Sequence, residues 1–201
     1  MRIDAHHSGN EQYTLAYLET ILKRNRFERS IFVGPVHDVP EHVAGIVAPI
    51  ESAMPHPKLR GVQIASVDDF ARAAAFGLPV DLLGLLAHVP ALAETHPGTT
   101  LVIDHLGHPD PPEALAAAAR FPNVYCKLSG LRRFEDPRPR VRLALGLFGP
   151  VRLMFGSDWP NGLPDHTWKA ALALFTQSIG AQTIEVREQL LGGTAARVYA
   201  V

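Results

Sequence analysis

The sequence has 201 residues, 47% of them hydrophobic, and a formal net charge of -1. That is enough apolar material for one sizeable core in a single domain spanning 1–201. The near-neutral balance argues against nucleic acid or a membrane surface as partner, and no apolar run nears the ~18 residues a membrane span needs.

The predicted elements alternate along the chain. Strand-like runs occupy residues 2–6, 30–36, 43–50, 59–65, 79–84, 99–107, 123–130 and 152–158. Most are β-branched and continuous, as in a parallel sheet buried on both faces. Helix-like stretches fall at 13–27, 67–76, 85–95, 112–120, 139–148 and 166–179. A last one covers 185–199, broken at Gly192-Gly193. The first carries apolar residues at helical spacing and ends in basic residues, which suit a helix C-terminus. Eight strands alternating with helices predict a compact, distorted (β/α)8 TIM barrel. Only residues 37–42 follow the second strand and about 51–58 the third, too few for a parallel crossover of a dozen or more. The second and third helices are therefore expected to be short or missing. That would leave apolar barrel surface bare and favour a homo-oligomer. The proline-rich stretch 134–140 reads as an exposed loop.

Four strand ends carry chemistry. In Asp4-Ala5-His6-His7-Ser8, strand alternation puts Asp4 and His6 on one face, with His6 at the barrel mouth as a metal ligand or a donor to a carbonyl. In Val102-Ile103-Asp104-His105-Leu106-Gly107-His108, an acid and an imidazole end an apolar strand, where charge is costly unless paired or functional. Tyr125-Cys126-Lys127-Leu128-Ser129-Gly130-Leu131-Arg132-Arg133 places Lys127 inside a strand, to contact a substrate oxygen or pair with a site carboxylate. Arg132 and Arg133 follow at the mouth, where a guanidinium can hold a substrate carboxylate or simply face solvent. Cys126 faces the other way and is read as packing. As the only cysteine it excludes an intrachain disulfide and fits a reducing, cytoplasmic setting. Met1 runs almost at once into strand-like sequence, which leaves no room for a signal peptide. In Met154-Phe155-Gly156-Ser157-Asp158-Trp159-Pro160, Asp158 can take a proton from water or bind a metal. Pro160 and Pro164 argue against its being merely a helix cap. His56, His88 and His166 lie in helix- or loop-like contexts and are read as surface residues.

These runs, in this order and from end to end, resemble the amidohydrolase superfamily. They most resemble its amidohydrolase-related branch of sugar-acid lactonases and 2-pyrone-4,6-dicarboxylate lactonase. Leu59-Arg60-Gly61-Val62-Gln63 resembles that branch's fourth strand. The resemblance implies a hydrolase in which water attacks an ester or amide carbonyl. Asp158 would be the general base, and His6 and His105 would polarise the carbonyl. Lys127, Arg132, Gln63 and Trp159 would contact substrate. The chain also departs from the pattern. Ser8 stands where the family has the second histidine of a His-x-His pair. Gln63 stands where an arginine is expected. The fifth strand offers only Asp81. A binuclear metal site is therefore not available; His6, His105 and Asp158 could hold a single zinc, but no required cofactor is the expectation. The function expected is hydrolysis of a lactone or carboxylic ester of a small polar acid. The alternatives are a metal-dependent decarboxylase of the same superfamily, or a degenerate barrel that binds a small molecule or catalyses a non-hydrolytic cyclisation.

Overall fold

The computed structural model describes residues 1–9 and 14–201. Eight strands pair in sequence order, every pair parallel. They are β1 (Ile3–His7), β2 (Arg29–Val33), β3 (Val43–Pro49), β4 (Leu59–Ile64), β5 (Val80–Leu82), β6 (Leu101–Ile103), β7 (Val124–Leu128) and β8 (Leu153–Phe155). Beyond β8 the chain returns to β1. The Asp158 amide donates to the His6 carbonyl at 2.9 Å and the Ser8 amide to the Trp159 carbonyl at 2.8 Å. A parallel bridge between His7 and Trp159 accompanies them. The result is a nearly closed (β/α)8 barrel, with strands shorter than the apolar runs that announced them.

Six helices lie among the strands: α1 (Leu15–Arg24), α2 (Phe70–Ala74), α3 (Val89–Thr95), α4 (Pro112–Ala119), α5 (Arg138–Phe148) and α6 (Trp168–Ile179). Thr14 caps α1 by accepting from the Tyr17 amide, and Lys23 and Arg24 close its last turn. Tyr13, the expected first helical residue, lies outside the described residues. The tail forms α7 (Ile184–Glu188), a π-turn over Gln189–Gly193, and α8 (Thr194–Tyr199). The break falls at Gly192, where a Cβ would collide with the Met1 carbonyl. Between β2 and β3 there is no helix, and between β3 and β4 only the single 3-10 turn Ile50–Ser52.

That thin cladding does not leave the barrel bare. Phe32, Val43, Ile46, Ala48 and Leu59 are all buried, packed against half-buried side chains that include Leu15, Val36, Val39, Phe76 and Leu78. Among the described residues, side chains of the loops, of α1 and of the segment after α2 cover the apolar face expected to be bare there, so that face gives no reason for self-association. The stretch 134–140 is also less open than expected. Arg140 lies in α5, is buried, and donates to the Leu106 carbonyl at 2.9 and 3.2 Å. His88 is exposed, whereas His56 and His166 are half-buried.

Inside the barrel, alternation along the strands separates two sets of side chains. Ile3, Ala5, Ile31, Val33, Val47, Val102 and Met154 pack together, and Ala195 and Tyr199 of α8 join them. The outward residues, such as Val62, Ile64, Leu82, Ile103 and Phe155, pack against the helices. The first strand breaks this rule. Its register with β2 shifts between Asp4 and His7. Asp4 consequently turns outward to α6, accepting from the Trp168 indole at 2.7 Å and the Ser157 amide at 2.8 Å. His6 turns inward. The expectation that Asp4 and His6 share a face is thus corrected: a bulge inserts one residue and reverses the facing of the strand beyond it.

Candidate active site

His6, His105 and Asp158 converge where β1, β6 and β8 end. Nε2 of His6 and Nε2 of His105 each lie 4.0 Å from the same Asp158 oxygen, Oδ1. The two imidazole centroids are 4.7 Å apart. All three residues are buried to within a few per cent.

Backbone strain marks two of the three. His105 has φ 50° and Asp158 φ 57°, with Leu106 at 54° beside the first. Left-handed non-glycine residues cost of order 1–3 kcal/mol each and persist only where their surroundings over-determine them. The surroundings are evident. Arg140 grips the Leu106 carbonyl. Nδ1 of His105 meets Ser129 Oγ at 2.9 Å. Gly130, at φ 60°, packs so close that a Cβ there would lie 2.7 Å from that same Nδ1 and 2.8 Å from Arg133 Nε. Asp158 is held at its amide by His6, at Oδ1 by the Asn161 amide group at 2.9 Å, and at Oδ2 by Arg133 at 3.1 Å.

Electrostatics follow from these contacts. Burial, seconded by the nearby His6, pushes His105 down to about 3, so its imidazole is uncharged at neutral pH. Burial would raise Asp158. The opposing pull of His6, His105, Asn161 and Arg133 is larger and holds its carboxyl below the usual range.

Beneath the mouth lies a buried charged cluster. Lys127 has no exposed surface. Its Nζ hydrogen-bonds Asp81 and lies 3.1 Å from Asp104 Oδ1 and 3.3 Å from His6 Nδ1. Burial alone would lower Lys127, but Asp104 and Asp81 more than offset it and keep it an ammonium. Asp104 feels a raising effect from burial and a stronger lowering one from Lys127 and His6, and ends well below the carboxylate range. Asp81 is pushed up to about 6, chiefly by burial. Gln63 donates to Asp104 Oδ2 at 2.8 Å. The Tyr199 hydroxyl donates to Asp81 at 2.9 and 3.1 Å.

The sequence-predicted residues therefore separate into layers. His6, His105 and Asp158 meet. Gln63 and Lys127 sit under them, bonded to Asp104; for Lys127 the partner is a site carboxylate, not a position open to substrate. Arg132 is exposed at the rim and donates to the Asn161 carbonyl at 2.7 Å. Trp159 is buried, with its amide on Ser157 Oγ and its ring 6.3 Å from Tyr17. Sequence reasoning does not single out Asp81, Ser129, Asn161 or Tyr199 as site residues. Asp81 and Lys127 carry a signal all the same, as charges at inward positions of apolar strands.

Ligand atoms of His6, His105 and Asp158 lie within 4.8 Å of one another, a spacing that could hold one divalent ion. The residue types also suit zinc, which takes three protein ligands and an open position in catalytic sites. Behind His6, Nδ1 lies 3.3 Å from both the Asp104 carboxylate and the Lys127 ammonium, so a carboxylate of the kind that orients a zinc-bound histidine is within reach.

Comparison with known proteins agrees with the fold. An L-fucono-1,5-lactonase of Burkholderia multivorans is 36% identical over 142 residues, 58% of this chain and 48% of that one. The chain thus spans about half the length of the curated relatives it matches. The crystal structure of an amidohydrolase from Burkholderia multivorans with bound zinc superposes with a TM-score of 0.83 at 25% identity, covering 100% of this chain and 99% of that one. A probable 2-pyrone-4,6-dicarboxylic acid hydrolase from Acinetobacter baumannii gives 0.73 at 14% identity, covering 100% and 99%, a likeness of fold alone. The amidohydrolase family model matches residues 3–201, so the strand-end motifs, the parallel barrel and the His–His–Asp mouth belong to a member of the amidohydrolase family.

Proposed function

We propose that this site hydrolyses a lactone or carboxylic ester of a small polar acid. The observation that carries the reading is the convergence of two imidazoles on one oxygen of a buried, ionised carboxylate. Asp158 takes a proton from water as that water attacks the carbonyl carbon. Its second oxygen is held by Arg133, which fixes the orientation of the base. His6 and His105 stabilise the oxyanion by hydrogen bonding to the former carbonyl oxygen. Arg132, exposed at the rim, holds a substrate carboxylate with the N–H groups that its bond to the Asn161 carbonyl leaves free. No step is assigned to a metal. The lactonase relative supports the choice of lactones over other esters.

The test is a panel of sugar-acid lactones, L-fucono-1,5-lactone among them, assayed with metal-free protein. Hydrolysis that Asp158→Asn abolishes is the expected result. A folded protein inert toward every lactone and simple ester overturns the reading. Activity that appears only with added zinc overturns the metal-free part of it.

A further inference from the structure

We propose that Arg140, on the outer helix α5, is a positioning residue that holds a left-handed turn at the end of β6 and so carries the His105 imidazole to the barrel mouth.

Along a strand, successive side chains point to opposite faces. Asp104 follows β6 directly and faces inward, bonded to Gln63 and beside Lys127. Were the strand to run on, His105 would face the helices. Instead the chain turns left-handed, with φ 50° at His105, 54° at Leu106 and 70° at Gly107. The His108 amide closes the turn on the His105 carbonyl at 3.0 Å. Asp104 and His105, neighbours in sequence, then both serve the site, while Leu106 is sent outward into the helix-side core. Only the third of the three left-handed positions is a glycine. Residues with a Cβ visit this region singly and at a cost, so two in succession need a restraint from elsewhere in the fold.

Arg140 is that restraint. It is buried, and both of its hydrogen bonds, from Nε at 3.2 Å and from Nη2 at 2.9 Å, go to the Leu106 carbonyl in the middle of the turn. A buried cation is costly unless a counter-charge answers it. The arginine ion pairs among the described residues belong to Arg72, Arg133 and Arg138, and none to Arg140. The Phe134 ring lies 5.8 Å from its guanidinium carbon and meets the His108 ring edge-on at 5.3 Å, so the segment before α5 also packs on the exit of the turn. Ser129 holds the His105 ring, at Nδ1; Arg140 holds the backbone that delivers the ring. The placement is the same whether the imidazole donates to a carbonyl or ligates an ion. Only its effect on turnover rests on the hydrolytic reading above.

The test compares Arg140→Met with Arg140→Gln. Both remove the charge and reach equally far. In Arg140→Gln the amide nitrogen falls where Nε stands and keeps one of the two N–H bonds; Arg140→Met keeps neither. On a lactone that the wild-type protein hydrolyses, Arg140→Met should lower kcat at least tenfold with KM within twofold, and Arg140→Gln should recover part of the loss. NMR of protein labelled at its histidine rings reads the nuclear Overhauser contact between His6 and His105, whose ring centroids are 4.7 Å apart. The signals are assigned by their loss in His6→Gln and His105→Gln. The contact should be present in wild type, weakened in Arg140→Gln and lost in Arg140→Met. A folded Arg140→Met protein that keeps the ring contact overturns the proposal, whatever its kcat. Equal losses in the two variants overturn it as well, because they trace the effect to charge and not to the carbonyl bond. Should Arg140→Met fail to fold, Arg140→Gln decides alone: a kcat severalfold below wild type with a weakened contact is expected, and no change in either refutes the role. A protein inert toward every lactone, yet with a ring contact that follows residue 140 in the expected order, would sink the hydrolase reading alone.

Discussion

Two arcs of this barrel are built differently. From β4 round to β8, every crossover carries at least one α-helix. From β2 to β4, the crossovers are a loop and a single 3-10 turn. The site residues divide the same way. His6, Gln63, Asp81, Asp104, Lys127 and Asp158 come from β1 and from β4 onward, and β2 and β3 contribute none. The abridged arc still pairs its strands in unbroken parallel register apart from single shifts, and its outer face is as dry as the helix-clad one. Strand pairing keeps the barrel continuous, and the helices are one of several ways to cover it.

The sharpest way to separate the arcs is through chemistry. Asp158→Asn keeps shape and most hydrogen bonds but removes the proton acceptor. Turnover should fall by more than the ~10²-fold lower bound for acid–base groups, with the melting temperature nearly unchanged. Steady-state kinetics and a thermal melt check both halves of that statement.

Packing gives the next largest effect. Phe32, in the loop-clad arc, and Phe175, on the buried face of α6, are both almost fully buried. If loops pack as solidly as helices, Phe32→Ala and Phe175→Ala should each cost about 3–5 kcal/mol of unfolding free energy, the usual range for such truncations. A cost at Phe32 less than half that at Phe175 would break the equivalence. Neither change should alter kcat of the folded protein.

Acid should reveal the loop-clad arc further. His7 points away from the site toward Phe32, 5.8 Å between rings, and burial pushes it down to about 3 from its ordinary 6.5. The unfolded chain takes up a proton near 6.5 and the folded one does not until about 3. Stability is therefore intact above about pH 6.5 and lost as pH falls toward 3, by up to about 1.4 kcal/mol per pH unit from this group. His7→Phe should flatten denaturant midpoints measured across that window.

The smallest effect belongs to the helix-clad arc. Thr167 caps α6 by accepting from the Ala170 amide at 3.2 Å. Thr167→Ala should cost about 1 kcal/mol, with kcat unchanged.

Legibility in the sequence obeys the same physics. The eight strands are readable because buried parallel strands are continuous apolar runs, and the missing helices because a crossover needs chain length. His6, His105 and Asp158 stand out as ionisable groups at the ends of such runs. The bulge in β1 is not readable, because one inserted residue reverses facing without changing composition. Nor is the burial of Lys127, since its neutralising partners Asp81 and Asp104 sit on other strands. Arg133 and Asn161 cannot be assigned to Asp158 from spacing, because loops rather than periodic elements bring them there. Tyr199 gives no signal, being an ordinary apolar-face residue of a helix until its hydroxyl meets Asp81.

That last contact bears on the order in which the polypeptide is made. Asp81 emerges from a ribosome more than a hundred residues before the tyrosine that donates to both its oxygens. Until α8 docks, a barrel already threaded through β8 would hold Lys127 beside a carboxylate lacking the hydroxyl shared by its two oxygens. Nascent chains arrested at residue 193 should therefore resist protease less well than released ones, even with all eight strands available to pair.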